Sequence, residues 1–191
     1  EDVNRVLIAG VPNCIIPYGV VKIAPHAFYY SSITNINFPD SIKEIGDSAF
    51  AHCESLTDVI LPANCKLGYT TFAWCYKLAN ITLPTNLTEI KSYVFEQCCI
   101  ESLVIPSKIK SISARAFGNI KTLKNVTFLT TVLPDSDNPE TEVNEAIDVS
   151  AFYNTGHTDG LTINVPWSEN DVLGAPWGAI NATINYNYIE N

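Results

Sequence analysis

Apolar residues recur along this chain in a fixed frame. Counting back from a proline, positions six, three and one are apolar in repeat after repeat: Ile33, Ile36 and Phe38 before Pro39; Leu56, Val59 and Leu61 before Pro62; Leu78, Ile81 and Leu83 before Pro84; Ile100, Leu103 and Ile105 before Pro106. The spacing returns at Leu123, Val126 and Phe128, where Leu129 stands in the place of the proline. One anchor followed by a short alternation predicts a buried contact and then a strand of roughly three to five residues. The proline ends the strand, because it has no N–H to give to a ladder. A second apolar set, Ile23, Ile45, Leu67, Ile90 and Ile112, lies five residues before a recurring aromatic ring.

Those rings fall at Phe28, Phe50, Phe72, Phe95, Phe117 and Phe152, with successive gaps of 22, 22, 23, 22 and 35. A fixed period in this range predicts a solenoid: short parallel strands stacked into one sheet about 4.8 Å apart, a buried spine of rings, and irregular or short-helical return legs. About six repeats of 22–23 residues then form one domain spanning 1–191. Its parts are a capping strand over 1–10, regular repeats over 11–128, an insertion over 129–146, a last repeat over 147–166 and a C-terminal cap over 167–191. Trp167 and Trp177 are expected to close the last coil, since an array end exposes its core unless covered.

With the repeat in view, the phrases LTDVILP and IGDSAFAHC, together with the LIAG…IIP opening between Leu7 and Pro17, carry a resemblance. They resemble the BspA-like class of leucine-rich repeats found in bacterial surface proteins, from about Leu7 to Phe128 and again from Ile147 to about Ile184. The Asn ladder of LxxLxLxxN repeats is absent. The resemblance implies a curved solenoid on a secreted or cell-surface protein that binds host or neighbouring-cell molecules. It implies no catalytic residues.

Charge narrows the partners. The net charge is -9, but residues 1–124 sum to +1 and residues 125–191 to -10, since all 11 Lys and Arg lie in the first stretch. Neither part offers the basic stripe that a phosphate backbone needs, so nucleic acid is not an expected partner. No run of about 18 apolar residues occurs, so no membrane insertion by a helix is expected. Without an initiator Met, leader or sorting tail, the chain reads as a mature fragment of a longer product. The insertion carries Asp135, Asp137, Glu140, Glu142 and Glu145. Such oxygen ligands suit a hard cation such as calcium, yet the glycine and spacing of an EF-hand are missing, and acidic runs in loops are usually just solvated. No cofactor is expected.

The remaining chemistry is sparse. Cys53, Cys75 and Cys98 form a column three residues after the rings, with Ser31 and Ile120 at its ends; Cys14, Cys65 and Cys99 stand off it. Spacings of 22 and 23 follow the repeat rather than a metal-ligand pattern, so the column reads as small buried residues. His26 and His52 sit in different columns and form no cluster, and no nucleophile, zinc or phosphate-loop motif is present. On the strand faces Asp58 stands alone among Asn35, Asn80, Ser102 and Asn125, which is poor material for paired-carboxylate hydrolysis. Sequons at Asn80, Asn86, Asn125 and Asn181 follow from Thr recurring in the strands.

Two residues after the rings come Tyr30, His52, Trp74 and Gln97, beside Tyr29, Tyr69 and Tyr76. Projecting outward, Tyr29, Tyr30, His52, Trp74 and Tyr76 would form an aromatic strip for a sugar or protein surface; folded inward, they would shield the spine. The sequence thus describes a non-enzymatic, monomeric recognition or adhesion module of the cell surface or exterior, whose partner is a protein or glycan on host or neighbouring cells. Its rivals are a passive spacer presenting another domain and, from a different class, a carbohydrate-active β-helix enzyme.

Overall fold

The computed structural model describes residues 5–7, 9–10, 14–130, 147–169 and 175–189. The acidic residues Asp135, Asp137, Glu140, Glu142 and Glu145 lie outside the described residues. Two ladders of parallel strands run along a stack of coils. The first holds β4 (Asp58–Ile60), β6 (Asn80–Thr82), β8 (Ser102–Ile105), β10 (Asn125–Phe128), β11 (Leu161–Asn164) and β12 (Ala182–Asn185). β4, β6, β8 and β10 are strands of the proline frame, whose first member, Ile33–Phe38, contributes only the bridge Asn35–Asp58; the alternation of buried and exposed residues, as in Ser102–Ile105, follows the strand period. The C-terminal β12 pairs in parallel with β11 and ends the stack.

The return legs are irregular, with no α-helix among the described residues, and they carry the second ladder. It holds β2 (Val20–Ile23), β3 (Glu44–Ile45), β5 (Lys66–Leu67), β7 (Glu89–Ile90) and β9 (Ser111–Ile112), built on the second apolar set. The N-terminal strand β1 (Arg5–Leu7) pairs in parallel with β2 and so lids this ladder. After each proline a four-residue turn closes: Cys65 N–H donates to Pro62 O at 3.0 Å and Leu87 N–H to Pro84 O at 3.0 Å. Its last residue is buried, giving a column of Val20, Ile42, Cys65, Leu87 and Ile109. Cys65 thus belongs to an apolar column of its own.

Between the ladders the six phenylalanines stack. Consecutive ring centroids lie 4.7, 5.3, 5.7, 5.5 and 5.2 Å apart, with planes within 18° of parallel. None is more than 2% exposed. The insertion does not interrupt the stack: Ile112 bridges to Ile147, and Phe117 meets Phe152 across it. At the start of the spine lies Gly10, where a Cβ would fall 1.8 Å from the Phe28 ring, so only glycine lets the backbone cover that face. At the other end Trp177 packs 6.3 Å from Phe152, and Trp167 5.3 Å from Phe128. Both indoles are buried and close the core, as a terminal coil requires.

The ladders share one interruption. β5 does not pair with β7, and β6 does not pair with β8, so both sheets part at the same level. The leg from Pro62 to Leu67 is five residues where neighbouring coils use six, and so is the leg from Phe95 to Ile100, which shifts register on both sides of this seam. The rings across it, Phe72 and Phe95, are the most widely spaced of the spine at 5.7 Å.

Candidate interaction surface

What projects at the ring side of each coil is set by how its amides are used. In the first coil Ala27, Tyr29 and Ser31 donate back to Ala24, His26 and Phe28 within overlapping turns, while His26, Phe28 and Tyr30 donate forward to Asp47, Ala49 and Ala51 of the next coil. The pattern repeats in the second coil, where Ser48, Phe50 and His52 donate to Tyr69, Thr71 and Ala73. Every other N–H therefore joins two coils, which accounts for the backbone donors of a buried turn. The corners of this turn, two residues before and two after the ring, adopt positive φ: 59° at His26 and 58° at Tyr30, 53° at Ser48 and 60° at His52, 53° at Thr70 and 60° at Trp74. Such a conformation costs an L-residue with a bulky side chain about 1–2 kcal/mol. Asn carries it more cheaply, and Asn119 and Asn154 occupy the later corner in the last two coils.

In the first three coils that corner holds Tyr30, His52 and Trp74, and the rings stack face to face. Tyr30 and His52 lie 4.3 Å apart and His52 and Trp74 4.8 Å apart, each pair 7° from parallel. Tyr29 leans edge-on against both Tyr30, at 4.6 Å, and His52, at 5.7 Å. Tyr29 and Tyr30 are exposed, and His52 and Trp74 are half-buried. The rings stand outside the core, which the phenylalanines and cysteines beneath them already fill. His26, set apart in the sequence by its different column, joins the group through an edge contact of 5.2 Å with Tyr29. The signal for it is the symmetry of the turn, whose two corners flank one ring. Tyr76 is exposed and lines a depression farther along. Tyr69 lies near the other corner with Lys91 Nζ 4.9 Å from its ring centre.

Toward the C-terminus the same face turns polar. Glu96 is 5% exposed and accepts from Asn119 Nδ2 at 3.0 Å, with Arg115 3.7 Å away. The Asn154 amide donates to Asn119 Oδ1 at 2.9 Å, and Arg115 lies over the Tyr153 ring at 4.2 Å.

The cysteine column does not contribute to this surface. Cys53, Cys75 and Cys98 are free, buried thiols that donate to Phe28, Phe50 and Phe72 carbonyls of the preceding coil at 3.1, 3.1 and 3.2 Å. Thr155 fills the same place in the last full coil, donating to Phe117 O and accepting from Ile120 N–H at 3.1 Å. Ser31 heads the column with no earlier ring carbonyl to meet, and its buried Oγ has no partner among the described residues. Burial pushes the Cys53 and Cys65 thiols up to about 12 and raises those of Cys75 and Cys98 as well. A thiol held protonated is a poor nucleophile. Among the described residues no group of three His, Cys, Asp or Glu side chains is placed to hold a metal ion.

On the strand face Asp58 is engaged by neutral neighbours. Asp58 accepts from Thr57 Oγ1 at 2.5 Å and Asn80 Nδ2 at 2.6 Å, and these two bonds hold its carboxyl below the usual range. A general acid would need the opposite shift.

A family model described as BspA type leucine rich repeat region, in six copies, matches residues 9–124 and, overlapping these, 88–168. Among solved structures, the leucine rich repeat protein TpLRR of T. pallidum is 32% identical with a TM-score of 0.55, over 63% of this chain and 58% of that one. A leucine-rich repeat protein of Bacteroides ovatus aligns at 24% identity and a TM-score of 0.57, over 84% of this chain and 40% of its own. The pneumococcal vaccine antigen PcpA aligns at 20% identity and a TM-score of 0.60, over 85% and 44%. The chain therefore spans roughly half the length of these proteins. No curated protein matches it.

Proposed function

The chain belongs to the BspA-type leucine-rich-repeat family, and from that premise we propose that it is a non-enzymatic recognition or adhesion module of the cell exterior, binding a protein or glycan of host or neighbouring cells. The carrying observation is the Tyr30–His52–Trp74 stack: aromatic side chains held at corners of positive φ, outside a core that does not need them. Strained corners mark places where something other than backbone preference selected the residue. A solenoid surface of this kind costs little entropy to present, because each coil is locked to its neighbours.

The ring arrangement favours a protein partner at this strip. His52 has both faces covered by its neighbours, so the stack turns ring edges outward, and a sugar seeks a free ring face. Half-buried aromatics with a polar surround are the residue types that dominate protein interfaces.

The test is a binding screen of purified extracellular-matrix proteins and glycans with the wild-type chain and with Trp74→Ala and Tyr30→Ala. We expect a saturable protein ligand whose affinity falls about tenfold or more in either variant, with melting temperature little changed. A screen without saturable binding to any member supports the spacer instead.

A further inference from the structure

We propose that the depression beside Tyr76 is a binding site for an acidic sugar, a pyranose that carries a carboxylate. It goes beyond the recognition reading, since it adds a ligand class and a second site that shares only Tyr76 with the strip. The depression, open to solvent, has a volume of about 430 Å³ and spans the third to fifth coils, crossing the seam between the third and fourth at Tyr76.

Its wall matches a pyranose. The exposed Tyr76 ring supplies an apolar side. Gln97, Asn119 and Thr122 also line the depression, and their amides and hydroxyl donate and accept as sugar hydroxyls do. The Gln97 amide has no intramolecular partner among the described residues, although its backbone is held at a φ of 57°. It is the side chain left to meet a ligand.

The rest of the wall is fixed in advance. Asn119 is clamped between Glu96 and Asn154, at 3.0 and 2.9 Å, and Thr122 Oγ1 donates to Ile100 O at 2.8 Å. Lys121 Nζ donates to both Asn154 O and Asn154 Oδ1 at 2.6 Å. A site whose polar groups are already in place spends less binding energy on ordering them.

Charge selects the acidic form. Lys121 is held by neutral oxygens, and no carboxylate among the described residues pairs with it. Nearby carboxylates are otherwise engaged: Glu96 by Arg115 and Asn119, and Glu101 by Lys124 at 3.5 Å. One ammonium, with a proton to spare after two bonds, fits one carboxylate. A phosphate backbone would ask for several cations.

The experiment is calorimetric and NMR titration of the 191-residue chain with sialyllactose and with a glucuronate-containing disaccharide, against lactose as the neutral probe. We expect an acidic sugar to bind about tenfold more tightly than lactose, the scale of one hydrogen bond to a charged group. Lys121→Gln should erase that preference, Lys121→Arg should restore it, and Gln97→Ala should weaken acidic and neutral sugars alike. Trp74→Ala should leave sugar binding unchanged, which separates this site from the protein-binding strip. The proposal is overturned if neither acidic sugar saturates, if lactose binds as well, if Lys121→Gln has no effect while its melting temperature matches wild type, or if a Glu-containing peptide binds as tightly as the sugars.

Discussion

Two columns of aromatic rings run side by side through this molecule, two residues apart in the chain. The phenylalanine spine is buried and spaced 4.7–5.7 Å; the Tyr30–His52–Trp74 column is half outside and spaced 4.3–4.8 Å. Both take their spacing from the coil pitch that the hydrogen-bond ladders impose. Stacking is therefore not what separates them. The spine carries Phe in every coil from Phe28 to Phe152, because each ring must fill the same volume against the ring before it. The outer column changes from Tyr to His to Trp and then to Gln97, Asn119 and Asn154. A position free to vary along an otherwise regular array is not serving the array, which is why the outer column is read as a binding surface.

Breaking the spine should produce the largest effect. Phe72→Ala removes a ring stacked on both faces and should cost about 3–5 kcal/mol, measured by urea denaturation. A loss under about 1 kcal/mol would mean the spine does not carry the fold. Next is Thr155→Val, which keeps the shape but strips the partners from Phe117 O and Ile120 N–H; we expect about 1–3 kcal/mol.

The cysteines sharpen the contrast by pH. The Cys53 and Cys65 thiols are raised from 9.0 to about 12 in the folded chain, so above pH 9 the unfolded chain releases protons that the folded one keeps. Their contribution is intact below pH 9 and is lost as pH rises toward 12. A Cys53→Ala, Cys65→Ala double variant should start less stable but decline more shallowly than wild type across that interval, read from denaturation midpoints. The smallest effect belongs to the outer column. Trp74→Asn exchanges partial packing for a residue suited to a φ of 60°, and its stability should stay within about 1 kcal/mol of wild type while protein binding falls. Equal losses from Phe72→Ala and Trp74→Asn would erase the distinction between the two columns.

Much of this was legible in the residues. The proline frame named the strands, the Phe period named the spine, and Cys53, Cys75 and Cys98 declared themselves a buried column, because each rule depends only on spacing along the chain. Tyr29, Tyr30, His52 and Trp74 were likewise picked out by column. The contact of His26 with Tyr29 was not, since it joins opposite corners of a turn whose conformation no spacing rule encodes. Cys65 sits three residues after Pro62, as Val20, Ile42, Leu87 and Ile109 sit after their prolines, but that this position turns inward follows from the turn each proline opens and not from the proline frame. The depression beside Tyr76 is not legible in the sequence, since its members come from three successive coils whose placement over one another no spacing rule within a coil gives.

By itself, then, the sequence determined the repeat, the identity of the core and the strand frame, since burial and strand geometry are periodic and local. Tertiary structure alone decided that the return legs form a second ladder, that both ladders part between the third and fourth coils, and that the outer rings stack with their edges to solvent. Each of these depends on the register of one coil over the next, which is settled by hydrogen bonds between residues some 22 positions apart and not by any pattern within a single coil.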